Sequence, residues 1–190
     1  TAGLNNADKF VGSFWAELTI LPELKFRSSY GVDLAFWGYD TYTFPYFLAT
    51  QGKDMQFSTV QSEMNRGYTW QLENYFSYNK TFEDVHNLSF VLGQSASKYT
   101  YRNLGGNDRD LLENDPLKAN INYAIADRKE ERAWGGTGGY NFDARASYFG
   151  RIDYNYDEKY MVQATVRRDG SSKFGPDHKW GVFPSFSAGW

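Results

Sequence analysis

The chain has 190 residues, enough for one domain, and its 20 basic and 23 acidic residues leave a net charge of -3. The charges are scattered, so no basic stripe exists for nucleic acid, and without cysteine there are no disulfides, thiolate metal sites or cysteine nucleophiles. Tyrosine (15), phenylalanine (15) and tryptophan (6) make up 19% of the chain and almost half of its 41% apolar content, an excess that suits strands and membrane interfaces.

Period-2 alternation, the signature of a strand with one apolar and one polar face, recurs in seven places and predicts seven strands. The first covers residues 10–20. In the second, residues 24–37, Leu24, Phe26, Ser28, Tyr30, Val32, Leu34 and Phe36 oppose Lys25, Arg27, Ser29, Gly31, Asp33, Ala35 and Trp37. The third, 68–79, sets Trp70, Leu72, Phe76 and Tyr78 against Gln71, Glu73 and Asn79, with Asn74 as the flaw on its apolar side. A fourth covers 86–95. The fifth, 143–156, is the clearest: Ala146, Tyr148, Gly150, Ile152, Tyr154 and Tyr156 oppose Arg145, Ser147, Phe149, Arg151, Asp153 and Asn155. The last two are 160–167 and 180–190, where Pro184 predicts an edge or a bulge because it lacks a backbone donor. Several of these segments exceed the common strand length and come near the roughly 9 to 11 residues that cross a bilayer at a tilt.

The expected connections alternate. Short turns fall at 21–23, 81–85 and 157–159, and long polar connections at 38–66, 96–142 and 168–179. If consecutive strands pair antiparallel, all turns share one end of the sheet and all long loops the other, as the periplasmic turns and extracellular loops of an outer-membrane barrel do. No stretch approaches the roughly 18 apolar residues of a membrane helix, which a barrel does not need. The start, Thr1-Ala2-Gly3-Leu4, is no signal peptide, so on this reading the chain is a length of a mature protein. The fold expected is an all-β, antiparallel transmembrane barrel segment of about seven strands, with Tyr148, Ile152 and Tyr154 toward lipid and Arg145, Arg151 and Asp153 toward the lumen.

Two stretches carry a family likeness. Tyr148-Phe149-Gly150-Arg151-Ile152-Asp153-Tyr154-Asn155-Tyr156 with Asp157-Glu158-Lys159-Tyr160 is one. Arg167-Arg168-Asp169-Gly170-Ser171-Ser172-Lys173-Phe174-Gly175-Pro176 followed by Trp180-Gly181-Val182-Phe183-Pro184-Ser185-Phe186-Ser187-Ala188-Gly189-Trp190 is the other. Both resemble the barrel of SusC/RagA-type TonB-linked outer-membrane proteins, strongly over 148–190, moderately over 70–93 and weakly near the start. The resemblance implies residence in the cell outer membrane, import of a nutrient such as an oligosaccharide or peptide, a SusD-like surface lipoprotein as lid, and the TonB complex acting through an N-terminal region. Residues 1–190 are then part of a barrel wall, with plug, TonB box and remaining strands outside them.

Catalytic chemistry is sparse. The two histidines, His86 and His178, sit at a strand start and in a loop, no HExxH occurs, and Glu130-Glu131 or Asp108 with Asp110 are acids of a polar connection. The acidic stretch 107–115 departs from the EF-hand pattern, with Leu112 at a ligand position and Glu113 at the glycine position. Gly135-Gly136-Thr137-Gly138-Gly139 precedes no helix and is expected to be a flexible loop rather than a phosphate cradle. Arg167 and Arg168 are expected to pair with Asp169 or neighbouring strands. Neither an enzyme activity, a metal nor a cofactor is expected.

The functional lead is the set of aromatics in the expected long loops, Tyr39, Tyr42, Tyr46, Tyr99, Tyr101, Trp134 and Tyr140, with Tyr42, Tyr46, Trp134 and Tyr140 as candidate ligand-binding residues. Aromatic faces stack on sugars and peptides, although packing of the loops accounts for single members equally well. The alternative to a transporter wall is a soluble, secreted β-sandwich carbohydrate-binding module, which would bury the apolar face instead of turning it to lipid.

Seven strands leave two open edges, and an unpaired backbone group in lipid costs several kcal/mol. Residues 1–190 expressed alone are therefore expected to aggregate, even in detergent. A soluble monomer with a cooperative thermal transition would favour the sandwich.

Overall fold

The computed structural model describes residues 2–47, 56–125, 132–136 and 142–190. Seven long strands and one short one make it up: β1 (Ala2–Leu21), β2 (Leu24–Thr43), β3 (Thr59–Phe82), β4 (His86–Arg109), the short β5 (Arg132–Gly136), β6 (Phe142–Tyr156), β7 (Tyr160–Ser171) and β8 (Trp180–Gly189). They form one sheet in the order β1-β2-β3-β4-β6-β7-β8, with β5 paired antiparallel to the far end of β4. Single 3-10 turns at Pro116–Lys118, Ile121–Tyr123 and Pro176–His178 are the helical elements among the described residues.

The strands outrun their apolar pattern. β2 continues to Thr43, β3 begins at Thr59 and β4 continues to Arg109, so connections expected at 38–66 and 96–142 narrow to 44–58 and 110–141. The reason is physical: alternation marks a strand only where its two faces meet different solvents, and these extensions are polar on both sides. The Gly-rich stretch expected as a loop begins on β5, and 137–140 lie outside the described residues.

The chain divides into two compact units. The first, Thr1–Phe10 with Leu34–Tyr68 and Thr100–Asn141, holds the connections 44–58 and 110–141. Its interior is small. Ser58 accepts from the Asp110 amide at 2.9 Å through its carbonyl and from the Leu111 amide at 2.7 Å through its hydroxyl, and Leu111 bridges to Ala124. Val60 and Leu111 are the buried hydrophobic residues of the described chain. In the same connection Asp115 caps the turn at Pro116–Lys118, and Lys118, held above its ordinary range by a hydrogen bond and charge from Glu113, meets that carboxylate at 2.6 Å.

The second unit, Val11–Asp33 with Thr69–Tyr99 and Phe142–Trp190, holds the tight turns. The turns of β3 to β4 and β6 to β7 are closed by Val85 N to Phe82 O (3.3 Å) and Lys159 N to Tyr156 O (3.0 Å). Their central residues, Glu83 and Asp84, then Asp157 and Glu158, all have φ between 49° and 58°, as type I′ hairpins require. The turns lie side by side, since the Asn79 amide donates to Glu23 and the Asp157 amide to Val85. The register of β6 with β7 runs from Tyr156↔Tyr160 to Arg145↔Ser171, which places the connection 172–179 at the opposite end of β7 from the turn at 157–159. Pro184, opposite Val166, stands on β8, the last strand of the sheet.

Glycines let rings lie flat on this sheet. A Cβ at Gly93 would stand 2.5 Å from Phe149 Cζ, 2.7 Å from Tyr75 Cβ and 2.8 Å from Asn74 O, whereas one at Gly31 would meet nothing within 4 Å. In the full-length protein, Gly93→Ala is expected to destabilise by about 1 to 3 kcal/mol through overpacking and Gly31→Ala to leave stability nearly unchanged. Loss of the folded band on heating, followed by gel mobility, measures both, and equal midpoints would contradict the packing.

Candidate functional site

Pairing of β6, β7 and β8 sorts their side chains onto two chemically different faces. One carries the rows Tyr154, Val162 and Ala188, then Ile152, Ala164 and Phe186, then Gly150, Val166 and Pro184. These rows contain no charge, and Tyr154, Ile152, Val162, Val166 and Phe186 are exposed. The other carries Asp153, Gln163 and Ser187, then Arg151, Thr165 and Ser185, then Phe149, Arg167 and Phe183. Its charges are paired, Arg151 with Asp153 at 2.7 Å and Arg167 with Asp169 at 2.6 Å, while Arg167 also donates to Ser147. Arg145, Arg151 and Asp153 therefore share one face, and Tyr148, Ile152 and Tyr154 the other.

Aromatic clusters frame the uncharged face. At the turn end His86 shares a 2.6 Å hydrogen bond with the Tyr154 hydroxyl, packs on Tyr156, and Tyr156 stacks on Tyr160. Toward the other end of β6 the uncharged stretch closes at Tyr148, which meets Trp180 and stands opposite Arg168, a charge on this same face seated over the Trp180 ring at 4.7 Å. Tyr148 to Tyr156 is about 27 Å of strand at ~3.4 Å per residue, or about 21 Å of height at the tilt of barrel strands, close to the lipid-facing band of an outer-membrane barrel. Apolar patches of this extent are not left in water by soluble proteins. The sheet is wall of a transmembrane β-barrel, its uncharged face toward lipid and its charged face toward the lumen.

On the lumenal face of the second unit a hollow of about 770 Å³ is lined by polar residues including Asn79, Asn87, Ser89, Arg151, Gln163 and Ser187. In the first unit, side chains on the side of β2 that carries Lys25 and Arg27 form a second cluster. Trp37 stacks on Tyr101 with centroids 5.7 Å apart and planes 25° apart. The Tyr101 hydroxyl bonds the buried Asn65, the Tyr39 hydroxyl donates to Glu63 at 2.6 Å, and Gln61 donates to Tyr39 at 2.9 Å. On the opposite side of the same strands Ser62 donates to Asp40 and Arg66 lies over Phe36.

The candidate residues scatter against this frame. Tyr42 is on β2, on the opposite side from Trp37, and packs on Phe44 at 5.0 Å. Tyr46 is exposed just past β2, Trp134 is on β5 opposite Gly105, and Tyr140 and Glu130-Glu131 lie outside the described residues. Tyr39, Tyr99 and Tyr101, expected in loops, are on strands. The cluster brings together Tyr39 and Tyr101 with Trp37, Gln61, Glu63 and Asn65, four residues that the sequence did not single out.

No family model matches the chain. The TonB-dependent receptor P39 of Formosa agariphila is 35% identical over 136 residues, 68% of this chain and 12% of that receptor. The TonB-dependent receptor SusC of Bacteroides thetaiotaomicron is 26% identical over 189 residues, 97% of this chain and 17% of that receptor. Among solved structures, the RagAB peptide importer in its closed-closed state superposes on 98% of this chain and 20% of its own with a TM-score of 0.85, and at 16% identity the likeness is one of fold. The chain thus spans less than a fifth of the length of these two receptors. It belongs to the SusC/RagA-type TonB-dependent receptors.

The two faces predict opposite responses to charge. Ile152→Arg in the full-length receptor is expected to cost about 2 to 4 kcal/mol near the bilayer midplane, whereas Thr165→Arg on the lumenal face should cost far less. Urea titration of the receptor refolded into vesicles compares them, and equal losses would contradict the assignment of faces.

Proposed function

We propose that residues 1–190 are one stretch of barrel wall in a longer outer-membrane receptor that imports an oligosaccharide or peptide with energy passed on by the TonB complex. The observation that carries this reading is the two-faced sheet, uncharged toward lipid and charged toward the lumen, in a chain whose relatives are TonB-dependent receptors. Plug and TonB box belong to other parts of the receptor. A SusD-like surface lipoprotein is the partner of the receptor, a reading supported by the likeness to SusC. The role is transport, without catalysis. The sandwich alternative is disfavoured because the chain aligns with TonB-dependent receptors over 68% and 97% of its length.

Deleting the full-length gene from the bacterium that encodes it should abolish growth on one oligosaccharide or peptide source, and deleting its TonB partner should have the same effect. Uptake that persists without TonB would indicate a passive porin.

A further inference from the structure

The lumenal cluster on β2, β3 and β4 has the chemistry of a sugar site. We propose that Trp37, Tyr101, Tyr39, Gln61 and Glu63 form a subsite for a neutral sugar ring on the barrel wall, a proposal that rests on the import reading above. The apolar C–H face of a sugar stacks on an aromatic ring, and the Trp37–Tyr101 pair supplies one held in place by the bond from Tyr101 to buried Asn65. Adjacent sugar hydroxyls each donate and accept, and they match a carboxylate beside a carboxamide. Glu63 and Gln61 are such a pair, two residues apart on the same face of β3 and both fixed by the one Tyr39 hydroxyl.

A further feature selects the ligand class. Its strands are inner strands of the sheet, β2 between β1 and β3 and β3 between β2 and β4, so no backbone edge is open there for an extended peptide to pair with. Tyr39 and Tyr101 stand among the aromatics that the sequence singles out, whereas Trp37, Gln61 and Glu63 do not, because only the pairing of the strands joins residues so far apart along the chain.

The test uses the full-length receptor in a strain deleted for its own copy, with radiolabelled maltohexaose, laminarihexaose, xylohexaose and a pool of neutral decapeptides as probes. Receptor-dependent import of one hexasaccharide is expected. Trp37→Ala and Glu63→Gln should each raise its half-saturating concentration at least about tenfold at unchanged amounts in the outer membrane, and Trp37→Phe should restore most of the loss. If Trp37→Ala fails to assemble, Glu63→Gln and Trp37→Phe decide. Import of a sugar with wild-type saturation in the variants overturns the subsite while leaving the import reading intact. Import of the peptide pool and of no sugar overturns the ligand class alone, and absence of receptor-dependent import overturns both readings.

Discussion

The backbone ladder is the constraint on which everything else depends. Among the described residues Val60 and Leu111 are the buried hydrophobic ones, while rings and aliphatic side chains from Phe14 to Phe186 lie exposed. A globular domain draws its stability from buried apolar surface. Here the strands are held by inter-strand hydrogen bonds, which in hydrocarbon have no water to compete for them. Every strand must therefore be paired on both sides across the membrane, and β1 and β8, the ends of the sheet, need neighbours beyond this chain.

That constraint also explains which parts of the fold were legible in the sequence. Where lipid lies on one side and water on the other, alternation is enforced residue by residue, and β6 could be read from Ala146 to Tyr156 with both faces assigned. Where both sides are wet, nothing enforces it. Tyr39, Asp40, Gln61, Ser62 and Glu63 are as regular a part of β2 and β3 as Phe26 and Phe76, yet their strand character rests on side-chain bonds across the register, Tyr39 to Glu63 and Ser62 to Asp40. Polar composition makes such residues look like loop.

Turns obey a different logic. Asp157-Glu158 and Glu83-Asp84 occupy left-handed conformations that Asn-Gly would adopt with less strain, and the spacing of the flanking strands, not the turn residues, made them recognisable. Their charge keeps the turns in water at the membrane boundary, beside the ring of Tyr156, Tyr160 and His86 that fixes the depth of the strands. Strand length, turn chemistry and girdle thus set the height of the wall together.

The candidate site is the place where sequence reading was weakest, for the same reason. Tyr42, Tyr46, Trp134 and Tyr140 stand out in the sequence because they fall in the expected long loops, a criterion blind to which face of a strand a residue occupies. Trp37 closed an alternating segment and looked like its last lumenal residue, while Gln61, Glu63, Asn65 and Tyr101 lay in stretches expected to be loops. A wall of paired strands can hold such groups rigidly, because β2 and β3 fix the relative positions of Tyr39, Gln61 and Glu63, and the Trp37–Tyr101 stack ties β4 to them. Groups mounted on paired strands lose less freedom on meeting a ligand than groups on a loop, which is the physical advantage of an extended strand over a polar connection.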